Sequence, residues 1–201
     1  MKKALVASII GLAAAVSVMA QSRILLDTYN SSLVQPYPLI TYGAGSGGTV
    51  GSGISGADGF TVGVYWSGTA ATFADASGTA IPGAEFTLGT GTGSTATFSS
   101  IAPGLFNSIP DFTMPGTINT AYLVIVAYNG ADYASSTVRG HSAVFTVAPN
   151  VTAFGAGTAL GSSEGNMPGF QVFSTTVVPE PSTFALAGLG LAGLLIFRRR
   201  K

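Results

Sequence analysis

Eight consecutive residues, Ala121-Tyr122-Leu123-Val124-Ile125-Val126-Ala127-Tyr128, are apolar at odd and even positions alike. Side chains in a strand alternate between the two faces of its sheet. A run without alternation therefore describes a central strand covered on both sides. Around it lie strands of the half-buried kind. Phe60, Val62, Val64 and Trp66 alternate with Thr61, Gly63 and Tyr65, and Ala143, Phe145 and Val147 alternate with Ser142, Val144 and Thr146. Further strands are expected at Ile24–Tyr29, Ala84–Leu88, Ser94–Phe98 and Phe170–Ser174. Turn signals recur between them at Asp58-Gly59, Ser77-Gly78, Pro82-Gly83, Pro103-Gly104, Pro115-Gly116 and Asn129-Gly130. No stretch between residues 21 and 176 sustains a 3.6-residue period. The expected class is all-β, with residues 21–176 forming one antiparallel β-sandwich.

Composition removes several classes of function. Gly, Ser and Thr supply 71 of the 201 residues, only 8% are charged, and there is no cysteine. Disulfides, thiol catalysis and cysteine-ligated zinc are therefore excluded. The formal charge of zero hides a segregation, because Lys2, Lys3, Arg198, Arg199, Arg200 and Lys201 lie at the two ends. Between residues 21 and 178 there are two basic residues, Arg23 and Arg139, against seven acidic ones, a net of −5. That sign opposes a nucleic acid, whose binding needs Lys and Arg to displace counterions. The stretch Gly43–Gly56 is low in complexity and is expected to form an irregular surface loop.

The two ends carry addresses. Lys2 and Lys3, the apolar run Ala4–Val16 and the small-residue site Val18-Met19-Ala20 make residues 1–20 a secretory signal peptide, with cleavage between Ala20 and Gln21. At the other end, residues 177–183 hold Pro179-Glu180-Pro181, residues 184–197 are fourteen apolar residues, and residues 198–201 are Arg198-Arg199-Arg200-Lys201. Fourteen residues of helix span about 21 Å against a hydrocarbon core of about 30 Å. The run is short, but a terminal basic cluster acts as a membrane stop held in the cytoplasm. Both basic ends then lie inside and the acidic middle outside.

This order of Pro-Glu-Pro, short apolar helix and Arg-rich end resembles the PEP-CTERM sorting signal of exported bacterial proteins. The resemblance implies a Gram-negative bacterium that makes extracellular polysaccharide. It further implies recognition of Pro179, Glu180 and Pro181 at the inner membrane by an exosortase-type protease, followed by delivery to the cell surface or extracellular matrix. Residues 21–176, above all Val138-Arg139-Gly140-His141-Ser142-Ala143-Val144-Phe145, resemble passengers of such signals, a resemblance that brings no established activity with it.

Chemistry in the passenger is sparse. Gly43-Ala44-Gly45-Ser46-Gly47-Gly48 satisfies G-x-G-x-x-G, but Thr49-Val50-Gly51-Ser52-Gly53 is a poor helix start and Asp58 comes too soon for a ribose contact. No cofactor is expected. Gly161-Ser162-Ser163-Glu164-Gly165 satisfies G-x-S-x-G, yet there is no Asp or His after Ser163 in the chain. A triad would need Asp111 or Asp132, then His141, then Ser163. His141 is the sole histidine and reads as a hydrogen-bonded residue at a strand end. No metal site is expected. Asp58 and Asp132 read as turn residues. Tyr65, on the opposite parity from Trp66, is a candidate sugar platform if it is exposed. The expectation is a non-enzymatic surface or matrix protein. The alternatives are a carbohydrate-binding module for extracellular polysaccharide and a glycoside hydrolase using a carboxylate pair.

Overall fold

The computed structural model describes residues 21–29, 37–152, 155–163 and 165–176. The expected signal segment with Ala20, the motif residues Pro179, Glu180 and Pro181, the apolar segment 184–197 and Arg198, Arg199, Arg200 and Lys201 lie outside these residues. Gln21 is the first residue of β1.

Twelve strands are described: β1 (Gln21–Leu25), β2 (Ile40–Tyr42), β3 (Thr61–Ser67), β4 (Thr87–Leu88), β5 (Thr95–Phe98), β6 (Phe106–Asn107), β7 (Phe112–Pro115), β8 (Ala121–Tyr128), β9 (Val138–His141), β10 (Phe145–Val147), β11 (Thr158–Ala159) and β12 (Phe170–Ser174). The one helical element among the described residues is a 3-10 turn, Gly56–Asp58. A small sheet runs β11-β1-β7. A large sheet runs β2-β12-β9-β8-β3-β5-β6, with β10 also on β8 and β4 also on β3. The all-β expectation holds. The antiparallel one holds except at two pairs, β1 with β11 and β2 with β12, which are parallel. Among the described residues no helix is long and apolar enough to cross a membrane.

β8 is the axis of the large sheet, and both its faces are covered, as its unbroken apolar run requires. Leu123, Ile125 and Ala127 face a core shared with Val62 and Val64 of β3, Ile24 of β1, and Phe112 and Met114 of β7. Val124 and Val126 face a second, smaller cluster with Tyr65, Ala71, Phe86 and Tyr133. Here the half-buried reading of β3 is corrected. Gly63 and Tyr65 are covered as well as Val62 and Val64, because the segment around residues 71–86 and the turn around Tyr133 lie over the second face.

The expected strand over 142–147 is also corrected. Val126 pairs with His141, but Leu123 pairs with Phe145, so one extra residue is accommodated between β9 and β10. This is a β-bulge. Ser142, fully buried, stabilises it. Its N–H donates to the Ile125 carbonyl at 2.8 Å, and its Oγ accepts from the Ile125 N–H at 3.0 Å. The bulge breaks the parity that linked His141 to Ala143, and Ala143 is exposed. Gly140, next to the bulge, is required by close packing. A Cβ there would stand 2.1 Å from the Gln171 carbonyl oxygen of β12.

Candidate functional site

Gly63 pairs with Val126 on one side and Thr95 on the other, and its missing side chain leaves a hollow in the second face of the large sheet. Tyr65 stands two residues along β3, opposite Leu88, and Tyr128 stands on β8 opposite Thr61. The third wall, Tyr133, comes from the turn between β8 and β9. That turn is shaped by its own polar groups. Ser136 Oγ accepts from the Gly130 N–H at 2.8 Å and donates to the Asp132 carbonyl at 2.6 Å. Asp132 Oδ1 accepts from the Ser135 N–H at 2.8 Å. The turn reading of Asp132 therefore holds, and the same turn carries Asp132 to the cleft.

The resulting cleft encloses about 330 Å³ and is lined by Tyr65, Tyr128, Tyr133 and Asp132 together with Leu88 and Thr95. The rings meet edge to face. Tyr65 and Tyr133 have centroids 6.3 Å apart at 68°, and Tyr128 and Tyr133 are 6.1 Å apart at 75°. Tyr65 is only 8% exposed, so it is not the open platform that its parity suggested. Burial, and then the Asp132 charge, raise the phenol pKa values of Tyr65 and Tyr128.

Tyr133 is fixed from outside the cleft. Its hydroxyl donates to the Ala80 carbonyl at 3.1 Å. The Arg139 guanidinium lies over its ring, 5.2 Å from the centroid. Arg139 also donates to the carbonyls of Thr79 at 2.8 Å and Tyr133 at 2.9 Å, and to that of Ala134. Two residues on, His141 is 7% exposed and tilted against the Phe73 ring at 4.6 Å. Its Nε2 lies 3.1 Å from Asp75 Oδ2 and its Nδ1 2.8 Å from the Ser142 carbonyl oxygen. Asp75 in turn accepts from the Ser77 hydroxyl and the N–H groups of Ser77, Thr79 and Ala80. These bonds, the Ser77 hydroxyl foremost, hold its carboxyl well below the usual carboxylate range.

The order Asp111 or Asp132, His141, Ser163 that a triad would have needed is not assembled. Both ring nitrogens of His141 are taken, and its acidic partner is Asp75, which sequence reasoning missed. Asp111 accepts from the Gly157 N–H at 2.6 Å and lies 4.0 Å from Arg23, and Ser163 lies in the turn after β11. Asp58 closes a capping box with Ser55, again a turn role. In the G-x-G-x-x-G stretch Gly45 and Gly47 take positive φ, 74° and 90°, while Gly43 and Gly48 serve packing. A Cβ on Gly43 would meet the Phe173 ring at 2.3 Å, and one on Gly48 the Tyr42 ring at 2.4 Å. The signal for the Asp75–His141 pair was present as Arg139-Gly140-His141, two polar side chains on one face of a strand.

At the C-terminal end of the domain, β12 stops at Ser174. Thr175 is tied back by its N–H to the Thr137 carbonyl at 2.8 Å. The described fold ends at Thr176, and the sequence changes character there. Residues 177–201 match the PEP-CTERM protein-sorting motif. No curated protein and no solved structure gives a significant match to the chain. The PEP-CTERM signal marks an exported protein handled by an exosortase, with membrane anchoring before sorting to the surface.

Proposed function

We propose that the protein is a non-enzymatic component of the cell surface or extracellular matrix, whose β-sandwich passenger is exported by an N-terminal signal peptide and sorted by its PEP-CTERM segment. The observation that carries this reading is the motif match at residues 177–201, directly after the last residue of the described fold. A passenger without catalysis is supported by the way its polar groups are used. Asp58, Asp75, Asp111 and Asp132 each accept from backbone N–H groups, and His141 is held at both nitrogens. The short apolar segment 184–197 depends on Arg198, Arg199, Arg200 and Lys201 as its cytoplasmic stop. The test replaces Pro179, Glu180 and Pro181 by alanine. Full-length protein should then accumulate in the inner membrane while the parent is trimmed and released. Normal trimming of the variant would reject the sorting reading.

A polysaccharide-binding role for the same passenger is the second reading. It is favoured by the cleft of about 330 Å³ with tyrosine walls and a carboxylate at its edge, a size at the small end of ligand pockets.

A further inference from the structure

We propose that Gln21, once it is the first residue of the exported chain, closes on itself to a pyroglutamate and leaves the mature passenger without a free α-amine. The inference rests on the signal-peptide reading, in which cleavage falls between Ala20 and Gln21. Three observations carry it beyond that reading.

The first is the chemistry of the residue. The side-chain amide carbon of a glutamine lies within five-membered-ring reach of its own α-nitrogen. The uncharged amine attacks Cδ, a new N–Cδ bond forms and the Cδ–Nε2 bond breaks. The amine gives up a proton, and ammonia departs. No oxidant, reductant or cofactor takes part. The Gln21 side chain is exposed and so has room to swing onto the nitrogen.

The second is the direction of that nitrogen. Gln21 stands opposite Pro115 in the antiparallel β1–β7 pair. In such a pair, residues that exchange both N–H···O bonds alternate with residues that exchange none. Pro115 has no N–H, so Gln21 is of the second kind, and Ser22, opposite Met114, is of the first. Arg23 confirms the phase. Its N–H and its carbonyl bond to Asn150, on the side away from β7, each at 2.9 Å. The Gln21 nitrogen therefore also turns away from β7. On that side β1 meets Asn150 at Arg23 and β11 at Ile24 and Leu25, all further along the strand. Ring closure breaks no ladder bond.

The third is what fixes the end of the strand. Ser22 is fully buried. Its Oγ accepts from the Ile118 N–H at 2.6 Å and shares its own hydrogen between the carbonyls of Gly116 at 3.1 Å and Ile118 at 3.3 Å. The register of β1 is thus set one residue inside the new chain end. A pyroglutamate ring holds φ as proline does, near about −65°, which lies within the extended region. It suits the first residue of a strand. Closing the ring removes a terminal charge and leaves an aminopeptidase no α-amine to grip.

The test caps free amines at the moment of harvest. Cells making the full-length protein are treated on collection with deuterated formaldehyde and a borohydride, which dimethylates any free α-amine and stops later ring closure. The N-terminal peptide of the protein from envelope and medium is then read by mass spectrometry. The expected peptide begins at Gln21, carries no label and is lighter than its sequence by one ammonia. A labelled peptide beginning at Gln21 would overturn ring closure and leave the cleavage reading standing. A peptide beginning elsewhere would overturn the cleavage position and the inference with it. Gln21→Ser keeps a small-residue cleavage site but has no amide carbon to attack. It should carry the label in full, with an unchanged denaturation midpoint. A lowered midpoint would show that β1 depends on Gln21 itself and would overturn the claim that the ring leaves the sheet intact.

Discussion

On one face the β3–β8 pair meets other strands, and on the other it meets irregular chain. The strand-covered face is closed by the small sheet, whose Ile24, Phe112 and Met114 join Val62, Val64, Leu123 and Ile125 in one apolar core. The loop-covered face buries far fewer side chains and is fastened by polar clamps. Asp75 with His141, Arg139 with Thr79, and Tyr133 with Ala80 all tie the segment around residues 75–80 to the sheet or to the β8–β9 turn. Burial holds the first face through area, which is non-directional. Hydrogen bonds hold the second through geometry, and each contributes only about 0.5–1.5 kcal/mol net. The first face should therefore set global stability, and the second should open locally.

Ile125→Ala gives the largest expected effect. Ile125 is fully buried in the strand-covered core, and its truncation should cost about 2–5 kcal/mol by chemical denaturation. Asp75→Ala should cost about 1–3 kcal/mol, with amide exchange accelerated mainly between residues 71 and 86. If Asp75→Ala lowers global stability as much as Ile125→Ala, the two faces are one cooperative unit and the contrast fails.

Acid sharpens the same contrast. The Asp75 carboxyl is held below its unfolded value of about 3.9, so its contribution is present above that value and is lost as pH falls through the lower, folded one. Exchange in the segment around residues 71–86 should therefore rise below about pH 4, ahead of exchange in β8. A uniform rise would count against loop opening as a separate event. The smallest effect is expected for Ser136→Ala. It leaves the Gly130 N–H without its side-chain acceptor and should cost about 1 kcal/mol, with exchange raised in the turn at 129–136.

The β3–β8 pair was legible in the sequence because its residues repeat, but the small sheet over it was not: β1, expected at Ile24–Tyr29, runs Gln21–Leu25, and β7 and β11 were not expected. The limits of β8 and β12 are those the pattern predicts, and β3 is displaced by one residue. The loop-covered face was not legible. Gly63 and Tyr65 look like a solvent-facing alternation, and nothing local to β3 says that Phe86 and Tyr133 return to cover them. The bulge at Ser142 escaped for a related reason, since one inserted residue leaves an alternating pattern that is plausible in either register. Of the cleft, Tyr65 and Asp132 were singled out separately, and the β8–β9 turn is the element that joins them. Two-residue strands such as β6 and β11 are too short to show a period at all.

The parallel pairing of β2 with β12 has a consequence for timing. Ile40 finds its partner at Phe170, and Ile24 of β1 finds one of its two at Thr158. Neither sheet can close until nearly the whole domain has emerged. A chain with so many distant pairings folds slowly, because long loops must close before their contacts form. While such a chain is being threaded outward, its leading strands wait without partners. The topology thus acts as a delay: both sheets stay open at an edge until the last strands are available.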